Sequence, residues 1–208
     1  MLKLESEMKT VLNHYHQRME DEVQLFNQLP EEEKIGRKDD FLLPIGFEIG
    51  VFLNNMIKSA KSKTILEIGT AYGYSTIWLA EAAKATGGKV ITLEISQEKV
   101  NYAKDKIGEA ELSDYVEFRV GNALESIKNA TETFDFVLLD IWKELYTPCF
   151  ELFFPKLNIG AWVAADNIIH PPHHKNETDK YLIALKQTNA FDSVLLPIGS
   201  GIELSQLK

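Results

Sequence analysis

The sequence predicts an α/β fold: a mostly parallel sheet with helices on both faces, preceded by helices and closed by an antiparallel hairpin. Three observations predict it. From Thr64 onward, short β-branched or aromatic runs alternate with helical stretches. The first run leads directly into a glycine-bearing turn and a helix, ILEIGTAYGYS (65–75). The last two runs are separated only by Gly199 and Ser200. A parallel crossover needs about a dozen residues or more, so so short a link makes that pair antiparallel.

Residues 1–60 read as an N-terminal helical extension of the same domain, and 61–208 as the α/β part. Leu4, Met8, Val11, Leu12, Tyr15, Met19, Val23 and Phe26 recur at helical spacings of three and four. PEEEKIGRKDD (30–40), with Pro30 and Gly36, reads as an exposed connection. A second helix is expected from Gly46 to Ala60, with Phe47, Val51 and either Leu53 or Asn54 near one face. The pattern leaves open whether these helices only cover a sheet or also close over a ligand.

The strands follow as TILEI (64–68), KVITLE (89–94), YVEFRV (115–120), FDFVLLD (134–140), AWVAAD (161–166), FDSVLLPI (191–198) and GIELSQL (201–207). That makes a seven-stranded sheet, with helices near 75–85, 96–108, 122–130 and 144–156 between the first five runs.

Composition narrows the function. The 208 residues, 45% hydrophobic and 25% charged, can build a core without staples. The single Cys149 cannot form an internal bridge. A net charge of −9 argues against general binding of a phosphate backbone. No apolar run of about 18 residues suggests a membrane span, and MLKLESEMKT lacks the apolar core of a signal peptide. A cytoplasmic protein is expected.

Gly69 and Gly73 are spaced G-x-x-x-G, without the G-x-G-x-x-G that brings a backbone against a pyrophosphate. A glycine turn at the carboxyl end of strand 1 still marks a ligand crevice, so a nucleoside without phosphates, such as S-adenosylmethionine, fits better. Ser75 would sit in the first helical turn, where a hydroxyl and open N–H groups can hold a carboxylate. The competing reading is a tight turn and nothing more. Glu94 ends the second strand, 94 − 69 = 25 residues after Gly69, where a carboxylate can accept both ribose hydroxyls. In GNALE (121–125), Asn122 and Ala123 would edge the adenine.

Asp140 ends the fourth strand with Lys143 three residues on, and Asp166 ends the fifth with Asn167 beside it. Two carboxylates and an amide oxygen at neighbouring strand ends make a hard oxygen donor set of the kind Mg²⁺ prefers. Taken singly, Asp140 could cap a helix and Asp166-Asn167 could form a turn. A divalent cation lowers the pKa of a hydroxyl it polarises, and Lys143 could remove the proton. HPPHH places His170, His173 and His174 together, but Pro171 and Pro172 make the segment irregular. A surface or substrate-lid loop is preferred there over metal ligation. Tyr72 and Trp142 flank the ligand or belong to the core.

The segments ILEIGTAYGYS, ITLEIS, VGNA, FDFVLLDIWKELY and AADNIIHPP, in that order, resemble the cation-dependent O-methyltransferases, which include catechol and caffeoyl-CoA O-methyltransferases and bacterial relatives. The resemblance covers about residues 42–208. It implies a Rossmann-like S-adenosylmethionine-dependent methyltransferase fold and a homodimer. It also implies an O-methyltransferase that uses S-adenosyl-L-methionine with Mg²⁺, Mn²⁺ or another divalent cation on a hydroxyl of a small, vicinal dihydroxy or catechol-like molecule. Asp140, Asp166 and Asn167 would ligate the metal, and Lys143, with Asp140, would be catalytic. Ile45, Glu67, Gly69, Ser75, Glu94, Asn122, Ala123 and Asp140 would form the cofactor site. The catechol enzyme's additional substrate-holding glutamate has no match near 191–203. A tRNA hydroxyuridine methyltransferase and a non-catalytic nucleoside-binding protein are the competing functions. The full set Asp140, Lys143, Asp166 and Asn167 argues against the second.

Overall fold

In the structure, a computed structural model, residues 5–34 and 36–208 are described. The first helix, α1 (Ser6–Gln28), buries Met8, Val11, Leu12 and Tyr15 at the spacing read from the sequence. Beyond Met19, which packs against this core, the stripe thins: Val23 is exposed, and Phe26 meets Phe41 edge-on and lies under Lys34 Nζ. Leu4 lies outside the described residues. The connection contains a short helix, α2 (Glu31–Lys34), and a 3₁₀ turn at Lys38–Asp40.

The helix α3 (Phe47–Ala60) buries Leu53 and Asn54 as expected and packs Val51 against the core, but its buried face does not include Phe47. Ile49, Gly50, Leu53, Asn54 and Ile57 turn inward, whereas Phe47 is exposed. Trp78 is the cause. A Cβ at Gly50 would lie 2.4 Å from its indole nitrogen, so only glycine lets the two helices approach. Asn54 then donates to the Trp78 carbonyl at 2.9 Å.

The sheet consists of β1 (Thr64–Ile68), β2 (Lys89–Glu94), β3 (Val116–Val120), β4 (Phe134–Leu139), β5 (Leu157–Ala165), β6 (Phe191–Leu196) and β7 (Ile202–Leu207), in the order β3-β2-β1-β4-β5-β7-β6. β1 to β5 run parallel, and β7 inserts antiparallel between β5 and β6. The expected hairpin is therefore present, with β6 rather than β7 at the edge. Between the strands lie α4 (Tyr74–Thr86), α5 (Gln97–Glu109), α6 (Ala123–Asn129), α7 (Tyr146–Phe153) and α8 (Lys175–Gln187). The helix expected at 144–156 is divided: 3₁₀ turns at Lys143–Leu145 and Phe154–Lys156 flank α7. α8, unforeseen in the sequence, packs through Thr178, Tyr181 and Leu185.

Two apolar layers sandwich the sheet. One is built around Tyr15, Leu53, Ile77 and Trp78, the other around Phe134, Tyr146, Phe153 and Tyr181. The chain leaves β1 toward β2 and β3 on one side, and later toward β4 and β5 on the other. That reversal opens a crevice beyond the carboxyl ends of β1 and β4. Gly69 sits at this point with φ +104°, and a Cβ there would lie 1.9 Å from the Asp140 carbonyl oxygen. Its glycine is thus required by the contact between two strand ends, independently of any ligand. Among the described residues no helix is long and apolar enough to cross a membrane.

Candidate active site

The crevice is a cavity of about 520 Å³. Its floor is the glycine loop, where Gly69, Thr70, Ala71, Tyr72 and Ser75 all line it. Leu42, Leu43, Pro44 and Ile45 form one wall, with Glu94 and Gly121–Ala123 beside them. Asp140, Trp142, Lys143, Asn167, Pro171 and His174 form the opposite wall. Strand ends that are far apart in sequence thus bring most of the expected residues together.

The glycine loop is held by carboxylates. Glu94 accepts from the backbone N–H of Ala71 and of Ser96, both at 2.9 Å, which ties the loop to the end of β2. Ala71 is itself left-handed, at φ 44°. Under the loop, Glu67 Oε2 accepts from Thr76 and Thr92 hydroxyls, each at 2.6 Å, and Thr92 in turn meets Thr70 at 2.5 Å. Glu67 is fully buried and does not line the cavity, which corrects its placement as a direct cofactor contact. Its side chain faces into the loop's support, because β1 alternates between faces and Glu67 is one residue short of the strand's open end. Burial pushes its pKa up to about 7, although the hydroxyls of Ser75, Thr76 and Thr92 favour the ionised form. Among the described residues its Oε1 atom has no hydrogen-bond partner.

Asn122 has a structural task beside its place in the wall. It is the N-cap of α6, and its Oδ1 accepts from the N–H groups of Leu124 at 2.8 Å and Glu125 at 3.3 Å. Ala123 behind it is buried.

On the acidic side, Lys143 is buried at the end of β4's following turn. Its Nζ donates to the Tyr146 hydroxyl at 2.7 Å and to the Ile141 carbonyl at 3.0 Å, and stands 3.5 Å from Asp140 Oδ1. Asp166 is buried, and its Oδ1 accepts from the Asn167 N–H at 2.7 Å. Burial and the Asp140 charge raise its pKa, against the pull of the Asn167 N–H and Lys143. Two carboxylates pressed together against burial, with an amide side chain beside them, are a donor set that fits a hard divalent cation. Among the described residues no group of three or more His, Cys, Asp or Glu side chains could hold a metal. His170 and His173 are exposed and His174 lines the cavity, so a loop at the mouth describes HPPHH better than a ligand cluster.

Tyr146 was not singled out in the sequence, where an aromatic at the start of a helix reads as core. Its signal was the three-residue spacing from Lys143. The 42–44 wall was missed too, because its contacts come from helix α1: Glu22 accepts from the Leu42 N–H at 2.7 Å. The aromatics left open both prove to be cavity residues: Tyr72 under Arg18 at 4.2 Å, and Trp142 half exposed at the rim.

A family model described as O-methyltransferase matches residues 18–208. The chain belongs to this O-methyltransferase family. It is 32% identical over 147 residues to a catechol O-methyltransferase of Niastella koreensis, covering 68% of this chain and 66% of that one. To caffeoyl-CoA O-methyltransferase 1 of Eucalyptus globulus it is 26% identical over 175 residues, covering 74% and 71%. The catechol-type relatives from Niastella koreensis, Danio rerio and Mycobacterium tuberculosis are matched over 66%, 53% and 58% of their length, so the chain spans less than two thirds of each. The crystal structure of the Bacillus cereus O-methyltransferase in complex with SAH superposes with a TM-score of 0.78 at 26% identity, over 100% of this chain and 93% of that one. The Rossmann-like methyltransferase fold that the resemblance implied is the fold of this family member.

Proposed function

We propose that the chain transfers a methyl group from S-adenosylmethionine to a hydroxyl of a small molecule with adjacent oxygens, using a divalent cation held by Asp140, Asp166 and Asn167. The observation that carries this reading is the convergence on one cavity of the glycine loop, Glu94, Asp140, Lys143 and Asn167, with the Asp166 carboxylate buried behind Asn167. The SAH complex of the Bacillus cereus relative and the catechol and caffeoyl-CoA names of others support it.

In this reading the Glu94 carboxylate takes the ribose hydroxyls, and Ser75 with the loop amides takes the amino-acid end. Leu42, Ile45 and Tyr72 shield the sulfonium from water. The cation, when bound, supplies stabilisation of negative charge on the attacking hydroxyl oxygen. Lys143 Nζ accepts the proton that this oxygen releases. A new carbon–oxygen bond forms as the sulfur–methyl bond breaks, and the sulfonium leaves as a neutral thioether. Alignment within the cavity, rather than any covalent intermediate on the protein, drives the step.

The test is methyl transfer from labelled cofactor to catechols, hydroxycinnamoyl thioesters and undermodified tRNA, with and without Mg²⁺. A small-molecule diol should accept the label, chelation should abolish transfer, and Mn²⁺ should restore it. Calorimetric binding of the cofactor should outlast chelation, since its contacts lie on β1 to β3. Full activity in excess EDTA would remove the cation from the mechanism. Label entering only tRNA would replace the substrate class.

A further inference from the structure

We infer that Tyr146 is a positioning residue for Lys143, and that its hydroxyl also fixes the two strand ends that carry Asp140 and Asp166. The consequence for turnover rests on the methyl transfer proposed above, whereas the positioning rests on geometry alone. Tyr146 opens α7, three residues after Lys143, and is completely buried. Its hydroxyl hydrogen points at two carbonyl oxygens, Leu139 at 3.0 Å and Asp166 at 2.9 Å. A phenol has one hydrogen and two acceptor lone pairs, so the side facing Lys143 acts as acceptor. Nζ donates to it at 2.7 Å, a shorter bond than its 3.0 Å bond to the Ile141 carbonyl.

The two carbonyls are not arbitrary. Leu139 immediately precedes Asp140, and its oxygen also takes the Asp166 N–H at 3.1 Å. One hydroxyl therefore bears on the backbone at both acidic residues and on the amine between them and the cavity. Burial together with the Asp140 and Asp166 charges keeps the phenol neutral, so it remains a hydroxyl throughout the working range.

The ring would stay in place without its oxygen. Tyr181 packs against it edge-on at 5.7 Å, within an apolar layer that includes Cys149, Phe150 and Phe153. Phenylalanine fills that volume, and the hydroxyl is what only tyrosine supplies. Without it, Nζ loses its 2.7 Å bond, while the Ile141 carbonyl at 3.0 Å and the 3.5 Å approach to Asp140 remain. An amine free to swing by about 1 Å no longer meets the substrate proton in line, and misplacement of that size can cost about 100-fold.

The experiment compares wild type with Tyr146→Phe and with Tyr146→3-fluorotyrosine, which keeps the donor hydrogen but weakens the oxygen as acceptor. ¹⁵N-lysine spectra of the ligand-free protein read the Lys143 Nζ hydrogens, assigned by their loss in Lys143→Ala. They should be protected from exchange in wild type and lose protection in Tyr146→Phe. In methyl transfer, kcat should fall roughly 10–100-fold while cofactor and substrate KM stay within about twofold. The fluorinated variant should move both readouts in the same direction by less, and it decides the matter if Tyr146→Phe does not fold. A variant with wild-type kcat, or with Nζ still protected, overturns the assignment even if its melting temperature has dropped. If wild type itself transfers no methyl group, the proposed function fails and the Nζ spectra alone decide the positioning.

Discussion

On the glycine-loop side of the crevice, Glu67 and Glu94 accept hydrogen bonds from two hydroxyls and two backbone amides. On the acidic side, Asp166 accepts one backbone N–H, faces the charge of Asp140, and has Lys143 as a partial counterweight. Both sides bury carboxyl groups, and burial raises the pKa of Glu67 and of Asp166 alike. The remaining cause differs. Around Glu67 three neutral hydroxyl donors outweigh the more remote charge of Asp140, whereas around Asp166 that charge is the main influence after burial. One half of the cavity is built to hold a conformation before anything binds, and the other retains unmet charge that a cation would answer.

The largest effect that sharpens this contrast concerns Glu67. Its folded pKa of about 7 lies above its ordinary value of 4.5, so folding favours the protonated form. The stability this contributes is fully present below about pH 4.5 and is lost as pH rises through about 7. Glu67→Gln cannot lose it. The wild-type-minus-variant difference in unfolding free energy should therefore fall by on the order of 3 kcal/mol between pH 4.5 and 8, or roughly 5–10 °C in Tm. A flat difference across that pH range would show that Glu67 is ionised throughout and that the two halves are less distinct than the structure makes them.

A smaller effect is expected at Glu94. Loss of a charged hydrogen-bond acceptor in Glu94→Ala should weaken S-adenosylmethionine binding by about 1–3 kcal/mol, roughly 5–150-fold in calorimetric Kd. At saturating cofactor, kcat should change far less, since the reacting oxygen lies on the acidic side. Glu94→Gln keeps an oxygen for the Ala71 or Ser96 N–H and should lose less on both counts. Unchanged affinity in Glu94→Ala would leave the glycine loop without its ribose contact, and a collapse of kcat instead would erase the division between the halves.

Much of this was legible before any coordinates, for identifiable reasons. The strand ends at Glu94, Asp140 and Asp166 were readable because short, largely apolar runs end at an acidic residue, and topology alone puts such ends together. Residues whose task depends on a partner far away in sequence were not readable. The buried face of α3 includes Gly50 and Asn54, which look like poor core residues until Trp78 of α4 is placed against them. α8 follows the irregular HPPHH segment, and much of its length is charged or polar, so its spaced Thr178, Tyr181 and Leu185 made a weak stripe. The resemblance placed Glu67 in the cofactor site, but strand alternation turns its side chain beneath the loop.

The smallest effect tests a residue that serves both structure and cavity. Asn122 Oδ1 is occupied by two helix N–H groups, which leaves the Nδ2 amine as the part of the side chain suited to meet an adenine. Asn122→Ala removes both functions and should lower stability by about 1 kcal/mol, roughly 2–4 °C in Tm. Asn122→Asp keeps an oxygen cap and adds a negative charge at the positive end of α6, so its Tm should match wild type or exceed it slightly. It has no amine, however. Cofactor affinity should therefore fall by less than about tenfold in both variants, while stability falls only in the alanine one. If the aspartate variant recovers affinity as well as stability, Asn122 contributes to the cofactor site only by holding α6 in place, and the wall at Gly121–Ala123 reads the adenine through backbone alone.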